Sequence, residues 1–345
     1  MSKIKLFGQS ILLSTLIFIL LTACNATEPP PVKDPRTMIW SVDTLIGPNN
    51  FQTNLRSFWG LKPNELFLAG HDGYIDGQLW YYDGKEWSYD KMPALPSSLM
   101  KVFGFSSTNV WAIGSVNYTN KHESLILHYD SEKWVKKDCP SKGGLISIWG
   151  SSPNDIWTGG TNTLLHFNGF QWKEFPILFP YKEVNINSIA GISKDEVYLT
   201  CHSTEQKDDK VTSYNYMYEY NGKDWTIIDT SYIDFDTQRY ESFGSMFYVI
   251  DKKLYSCFSY IYQYENGKWI KINDESGIVR LGGTGENNIL AAGIYGELFH
   301  FDGLDWQEIK YIENPKHYIT DIWTNGSEIF LVSGNGHKSF VYHGR

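Results

Sequence analysis

The chain repeats one short phrase along its length: an aromatic residue, Asp or Asn, Gly, and then a Trp. Copies are "YYDGKEW" (81–87), "HFNGFQW" (166–172), "EYNGKDW" (219–225), "YENGKW" (264–269) and "HFDGLDW" (300–306), with a looser one in "HYDSEKW" (128–134). A second phrase, such as "IWGSSPNDIWTGG" (148–160), precedes each copy. A repeat of this kind restricts the chain to architectures in which similar units pack on their neighbours.

Each unit resolves into four short strands, which we call a, b, c and d. Strand a ends in an aromatic and a small residue, a Pro-Asn or Ser/Asn turn follows, and strand b is apolar. Strand c ends at the Asn-Gly or Asp-Gly pair, and strand d begins at the Trp. Asn-Gly and Asp-Gly suit turns that need positive φ, and no unit shows a sustained helical period. The sequence therefore predicts an all-β fold.

The number of units predicts how the fold closes. Seven a-b-c phrases are present, but only six of them are followed by a strand-d Trp, and the last stops at "FVYHGR". The missing strand stands at the other end of the folded part, where Trp40 precedes the first strand a. We therefore expect residues 38–345 to form a seven-bladed β-propeller of four antiparallel strands per blade, with the N-terminal strand completing the C-terminal blade.

These phrases resemble those of bacterial seven-bladed propellers with S-S-P-N-D-I-W-x-G-G repeats. They are distantly similar to kelch and galactose-oxidase propellers and to sialidase-type propellers with Asp boxes. The Asp-box likeness is inexact, because that motif places its Asp five residues before the Trp, whereas Asp83 and Asn168 stand four before theirs. The resemblance implies a fold and no chemistry.

The N-terminus has the features of a secretory signal. Lys3 and Lys5 precede an apolar run at 11–21, which is too short to span a bilayer as a helix. The run ends in Leu-Thr-Ala-Cys, which resembles a bacterial lipobox and implies lipidation of Cys24; the alternative is an ordinary secretory signal with a chance Cys. We expect a signal peptide at 1–23, a Pro-rich tether at 24–37, and a cell-envelope protein anchored to the outer membrane, periplasmic or surface-exposed.

The net charge argues against one class of partner, and the cysteine content argues against a disulfide framework. The formal net charge is −9, and removal of residues 1–23 takes away two lysines and makes it −11, which argues against nucleic acid. After Cys24 only Cys139, Cys201 and Cys257 remain, with no C-x-x-C spacing, and we expect small buried hydrophobes, although Cys201 and Cys257 lie in neighbouring units where a bridge is conceivable. We expect a monomer without a cofactor.

A candidate site follows from the alignment of the strand-a phrases. The a-b and c-d turns share one face and are short, whereas the b-c and d-a connections share the other face and vary in length, which is typical of binding loops. One strand-a position, three before the small residue, should face the central channel; its occupants are Ser57, Lys101, Ser147, Ser188, Glu241, Arg280 and Asp321. This ring is either a solvated lining whose charges neutralise each other or a polar pocket for a small ligand.

Aromatic residues in the loops either extend the pocket or pack the d-a crossings: Tyr181, Tyr232, Phe235, Tyr240, Tyr311 and Tyr318.

A metal site is not predicted. His128, His166 and His300 occupy the same strand-c position in different blades, so sevenfold geometry keeps most of them out of one coordination sphere. Asp234, Asp236 and Glu241 lack the Gly that a calcium loop needs at its sharp turn.

The leading functional hypothesis is a non-catalytic, membrane-anchored binding or scaffold module for a protein or glycan ligand. The alternative is a carbohydrate-active hydrolase or lyase on a sialidase- or galactose-oxidase-like propeller, with Arg56, Arg239, Arg280 and Glu241 near the channel mouth. A third reading is a scaffold like the propeller lipoprotein of the outer-membrane insertion machinery, but the D-x-x-T-G-x-x-x-W repeats of that family are absent from this chain.

Overall fold

A computed structural model describes residues 31–48, 52–73, 76–90, 92–93, 95–118, 121–177, 179, 183–207, 210–234, 239–241, 243–312 and 317–345. The predicted signal peptide, Cys24 and most of the tether lie outside these residues. Within the described ranges no helix has the length and hydropathy needed to cross a membrane. The helical element there is a single 3-10 turn, Pro35–Thr37.

The strands of the described residues form seven sheets, which we number as blades 1 to 7 along the chain. Blade 1 contains β2 Asn54–Lys62, β3 Glu65–His71, β4 Gly77–Tyr82 and β5 Trp87–Asp90. Blade 2 contains β6 Ser97–Ser106, β7 Asn109–Tyr118, β8 Lys121–Tyr129 and β9 Trp134–Lys136. Blade 3 contains β10 Leu145–Ser152, β11 Asp155–Gly160, β12 Thr163–Phe167 and β13 Trp172–Glu174.

The other blades follow the same order, with one addition. Blade 4 contains β14 Asn185–Ser193, β15 Glu196–Lys207, β16 Lys210–Tyr220, β17 Trp225–Asp234 and a fifth strand, β18 Arg239–Glu241. Blade 5 contains β19 Met246–Ile250, β20 Lys253–Phe258, β21 Tyr260–Glu265 and β22 Lys268–Lys271. Blade 6 contains β23 Ile278–Gly285, β24 Asn288–Gly293, β25 Leu298–Phe301 and β26 Trp306–Glu308. Blade 7 contains β27 Ile319–Thr324, β28 Ile329–Gly334, β29 Ser339–Gly344 and β1 Trp40–Leu45.

The two ends of the folded chain close the ring, as the sequence predicts. β1 pairs antiparallel with β29, from Trp40 opposite Gly344 to Leu45 opposite Ser339. Ile39 and Arg345 extend the pairing by exchanging two backbone hydrogen bonds of 3.0 and 3.1 Å. The innermost strand of each blade contacts that of the next, including β27 with β2. The fold is therefore an all-β, seven-bladed propeller with four antiparallel strands in each standard blade.

The core lies between consecutive blades. In the described part of the chain, seven clusters of buried apolar side chains each join two neighbouring blades. Trp157, fully buried in blade 3, packs edge-on against the strand-d Trp225 of blade 4, with ring centroids 5.3 Å apart. The aromatic and small residues at the end of strand a are partners across blades: a Cβ on Gly191 of blade 4 would overlap the ring of Trp149 of blade 3. The repeated Trp and Gly thus specify how one blade packs on the next.

Candidate functional site

A polar hollow lies at one end of the central channel. Its volume is about 690 Å³, and its wall includes residues from the starts of the inner strands and from the ends of strands b. His202 lies in the part of β15 that extends toward the b-c connection, and Tyr318 immediately precedes β27, in a d-a connection. The hollow is therefore the mouth of the channel on the face that carries the variable loops, and we call it the channel mouth.

Five of the seven residues in the predicted ring line this hollow: Ser57, Lys101, Ser188, Arg280 and Asp321. A β-bulge comes directly before each of these residues and before Ser147, so two successive residues of strand a face one residue of strand b. The extra residue of the bulge also faces the channel mouth in several blades, as Arg56, Met100, Ile146, Asn187 and Thr320 do. Bulges re-aim side chains, and here they turn a second residue of the inner strand toward the channel.

The ring position also ties neighbouring blades together. Ser147 Oγ accepts a hydrogen bond of 2.9 Å from the backbone N–H of Ile189, one blade further on, and Ser188 Oγ accepts one of 3.0 Å from Phe247. Between blades 1 and 2, Ser57 Oγ accepts from Val102 at 3.3 Å. Asp321 Oδ2 accepts from Phe58 at 2.8 Å, which joins blade 7 to blade 1. These four members of the ring are thus structural acceptors as well as lining.

Blade 5 departs from the alignment, and the placement of Glu241 in the ring is wrong. Glu241 lies in β18, which pairs with β17 at the edge of blade 4, and its side chain is outside the described residues. The inner strand of blade 5 begins at Met246, which takes the ring position because the next residue, Phe247, donates to Ser188. Methionine is a poor acceptor, so the ring position of blade 5 does not supply the acceptor that Ser57, Ser147, Ser188 and Asp321 supply in their blades.

The described lining of the channel mouth is cationic, contrary to the charge balance expected for the ring. It contains Arg56, Lys101 and Arg280 but a single carboxylate, Asp321. Burial lowers the pKa of Lys101; nearby Asp321 opposes this shift and Arg280 adds to it. Burial raises the pKa of Asp321, opposed by a hydrogen bond from Phe58 and by the charges of Arg280 and Lys101. Arg56 is among the residues predicted for the enzyme alternative, but its bulge leaves no mark in the repeat, so the sequence does not place Arg56 in the ring.

Arg280 is held in place by its surroundings. Its Nε donates to the carbonyl of Thr320, and its Nη1 donates to the carbonyl of Val279 at 2.7 Å. Its guanidinium carbon lies 5.5 Å from the centre of the Tyr318 ring, within cation–π range. On the same wall, Arg56 Nε donates to His71 Nε2 at 3.0 Å. Burial and then the charge of Arg56 lower the pKa of His71 to about 4.

Exposed aromatic side chains line the rim. Phe258 is 57% exposed and Tyr318 is 38% exposed, and both border the hollow. Phe258 has φ 139° and is followed by Ser259 with φ 101°, a backbone conformation that costs free energy for residues other than Gly. This strained turn between strands b and c of blade 5 holds an apolar ring in solvent at the mouth of the channel.

The remaining loop aromatics divide between the two expected roles. Tyr311 packs into the core, with its ring centroid 5.4 Å from that of Trp40, and its hydroxyl donates to the carbonyl of Gly296 at 2.7 Å. Tyr232 is half-buried in β17. Tyr181, Phe235 and the side chain of Tyr240 lie outside the described residues. Of these side chains, Tyr318 extends the hollow and Tyr311 packs a crossing.

The strand-c histidines have structural partners within their own blades. His128 Nε2 is 2.9 Å from Asn109 Oδ1, His166 Nε2 is 2.6 Å from Asp155 Oδ1, and His300 Nε2 is 3.0 Å from Asn288 Oδ1. Each partner is the first residue of strand b. Across the residues that the structure describes, no group of three His, Cys, Asp or Glu side chains is arranged to hold a metal.

The cysteines are free thiols rather than a bridge. Cys201 and Cys257 are buried and unpaired with each other, and burial raises the pKa of each to about 12. Cys139 is half-buried and borders a second hollow of about 710 Å³ beside blades 2 and 3. That hollow includes Phe170, 92% exposed at a c-d turn, and His128, already bonded to Asn109. It lacks the converging charges of the channel mouth.

Comparison with known proteins identifies solved structures that share the fold of this chain. No protein-family model matches the chain, and no curated protein matches it. Solved structures do match, among them YCF48 bound to D1 peptide, with a TM-score of 0.55 and 12% identity over 91% of this chain and 98% of that one. YCF48 from Cyanidioschyzon merolae gives 0.56 and 14% over 88% and 98%. The WD40 β-propeller domain of Doa1 gives 0.60 and 14% over 88% and 95%.

This chain shares their fold. At 12–14% identity the likeness establishes the β-propeller and nothing about the ligand.

Proposed function

We propose that the chain is a non-catalytic binding module that holds a segment of a partner protein at the channel mouth. The observation that carries the proposal is the 690 Å³ hollow on the variable-loop face, bordered by exposed Phe258 and Tyr318. Exposed apolar rings around a polar depression are typical of binding sites, because a partner can bury the rings while the polar groups fix its orientation. A propeller of this fold, YCF48, has been solved with a peptide bound, which supports a protein ligand.

The chemistry of the hollow favours binding over catalysis. Its one described carboxylate, Asp321, accepts backbone hydrogen bonds at both oxygens, from Phe58 at 2.8 Å and from Ile322 at 3.0 Å. Both oxygens therefore already serve the fold, as acceptors for backbone N–H groups of the inner strands. For the carbohydrate-active alternative, Arg56 and Arg280 line the hollow, whereas Arg239 and Glu241 belong to β18 at the edge of blade 4.

Site-specific photo-crosslinking tests the binding face. A photoreactive phenylalanine analogue at Phe258 should crosslink one partner protein in the native cell envelope, identified by mass spectrometry. The matched control places the analogue at Leu304, which is 90% exposed but lies in a c-d turn on the opposite face. The proposal requires an adduct from position 258 that is missing from position 304. Equal labelling from both positions, or none from 258, would contradict it.

We further propose, from the resemblance of residues 21–24 to a lipobox, that the module is anchored to the outer membrane by acyl chains on Cys24. Labelled palmitate should be incorporated by the wild-type chain and not by Cys24→Ser. Incorporation by the variant, or release of the unmodified chain as a freely secreted protein, would contradict the anchor.

A further inference from the structure

In the described part of the chain, the three cations at the channel mouth form no close ion pair. Among the residues that the structure describes, no ion pair within 4 Å involves Arg56, Lys101 or Arg280, although the chain as a whole carries a formal charge of −9. The nearby carboxylate, Asp321, is engaged by the backbone N–H groups of Phe58 and Ile322. The described lining therefore has three positive charges against one negative charge, two of them uncompensated.

This arrangement costs free energy unless an anion balances it. Like charges that share a partly desolvated hollow repel each other, and each also loses hydration. Both effects are present here: desolvation lowers the pKa of Lys101 and of Arg56, and the charge of Arg280 lowers both further, while Asp321 opposes the shift of Lys101. An acidic protein that keeps three cations together at the end of its channel has a site with a strong electrostatic preference for a negative ligand.

The N–H groups of Arg280 and Lys101 are also available to donate to an anion. Two carbonyls and the Tyr318 ring fix the Arg280 guanidinium, whose remaining N–H groups are left for a ligand. The Lys101 ammonium group forms no hydrogen bond with any residue of the described part of the chain, and Lys101 borders the same hollow. Donors fixed before binding lose less entropy when the ligand arrives, and guanidinium and ammonium groups are the usual partners of oxyanions.

We propose that the channel mouth is an oxyanion site in which Arg56, Lys101 and Arg280 together bind a doubly charged group, such as a sulfate, a phosphate or a pair of carboxylates. The hollow, at about 690 Å³, has room for such a group as a small organic anion or as the acidic part of a larger ligand. For a dianion that belongs to a partner protein, this inference rests on the proposed function, and it specifies the chemical group that the partner presents.

Calorimetric titration of the full chain at constant ionic strength, in a buffer without other divalent anions, tests the site. The probes are inorganic sulfate, succinate and acetate. Sulfate or succinate should bind saturably with one equivalent, and acetate should bind at least about tenfold more weakly because it carries one charge. Preference for sulfate over succinate identifies a tetrahedral dianion, and the reverse identifies paired carboxylates. Absence of saturable binding by both dianions would overturn the inference.

Variants separate the site from general charge effects. Lys101→Met keeps the side-chain volume and should weaken dianion binding at least about tenfold, and Arg56→Gln provides a second variant at the rim in case the first fails to fold. Lys194→Met removes the same charge from an a-b turn, where the side chain is 73% exposed, and should bind as wild type does. Wild-type affinity in Lys101→Met and Arg56→Gln would contradict the proposal. Crosslinking at Phe258 without dianion binding would defeat this inference alone, and dianion binding without crosslinking would defeat the protein ligand alone.

Discussion

At the scale of residues, the polar groups around the channel serve the fold as well as the candidate site. Ser147 and Ser188 accept backbone hydrogen bonds from the next blade, and Asp321 of blade 7 accepts one from blade 1. A buried N–H that loses its acceptor costs about 1–3 kcal/mol, so these positions are constrained by folding alone. Lys101 and Arg280 cannot accept, which leaves their charges for the channel.

His71 predicts a pH dependence of stability. Its folded pKa, about 4, lies below the ordinary value near 6.5, because the ring is buried beside Arg56. The unfolded chain therefore takes up a proton that the folded chain refuses, so stability is lost as the pH falls from about 6.5 to about 4. The loss has an upper bound of about 3 kcal/mol.

Urea unfolding at pH 6.5, 5.5 and 4.5 measures this contribution. The fall in unfolding free energy should be smaller in His71→Gln than in wild type, while the exposed His337→Gln should follow wild type. Parallel curves for all three proteins would show that His71 does not keep its low pKa in solution.

At the scale of elements, β1 is the strand on which the ring depends. It contributes Leu45 to the core between blades 7 and 1, and Trp40 to the core between blades 6 and 7. Without it, β29 becomes an exposed edge strand, and edges of this kind promote association between chains.

Two N-terminal truncations test the role of β1. A chain that begins after Leu45 should lose roughly 10 °C or more in Tm, because several kcal/mol of apolar burial and the β1–β29 hydrogen bonds are lost and about 1 kcal/mol corresponds to 2–4 °C in a large domain. A chain that begins after Thr37 keeps β1 and should retain the wild-type Tm. Equal melting temperatures in a thermal scan would mean that β1 does not close the propeller.

At the scale of the whole molecule, the fold could be predicted from the sequence because each blade repeats the residues that pack it. The Trp of strand d and the Asn-Gly turns occur in nearly every unit, so the number of blades and the closure by Trp40 follow from counting. The strand boundaries of blade 5 could not be predicted in this way. The pairing of its strands puts Val249 where blades 1, 2, 3, 4 and 6 have Gly, and the alignment instead matched Gly244, five residues too early.

The candidate site was predictable only in part, because its geometry depends on backbone irregularities. The ring residues of six blades follow from the repeat, and five of them border the channel mouth. The bulges that turn Arg56 and Thr320 toward the same hollow, and the positive φ that exposes Phe258, arise from tertiary packing. With Arg56 added and Glu241 displaced to β18, a ring expected to be neutral becomes a cationic hollow.

The most direct measurement of the central claim, that the channel mouth is an anion-binding site, is an anomalous difference map from crystals soaked in sodium selenate. Selenium marks the position of a tetrahedral dianion. We predict one strong peak inside the channel, within hydrogen-bonding reach of Arg280 and Lys101, and no such peak in crystals of Lys101→Met. Selenate found only on the outer surface of the propeller, or equally in the channel of both proteins, would contradict the account.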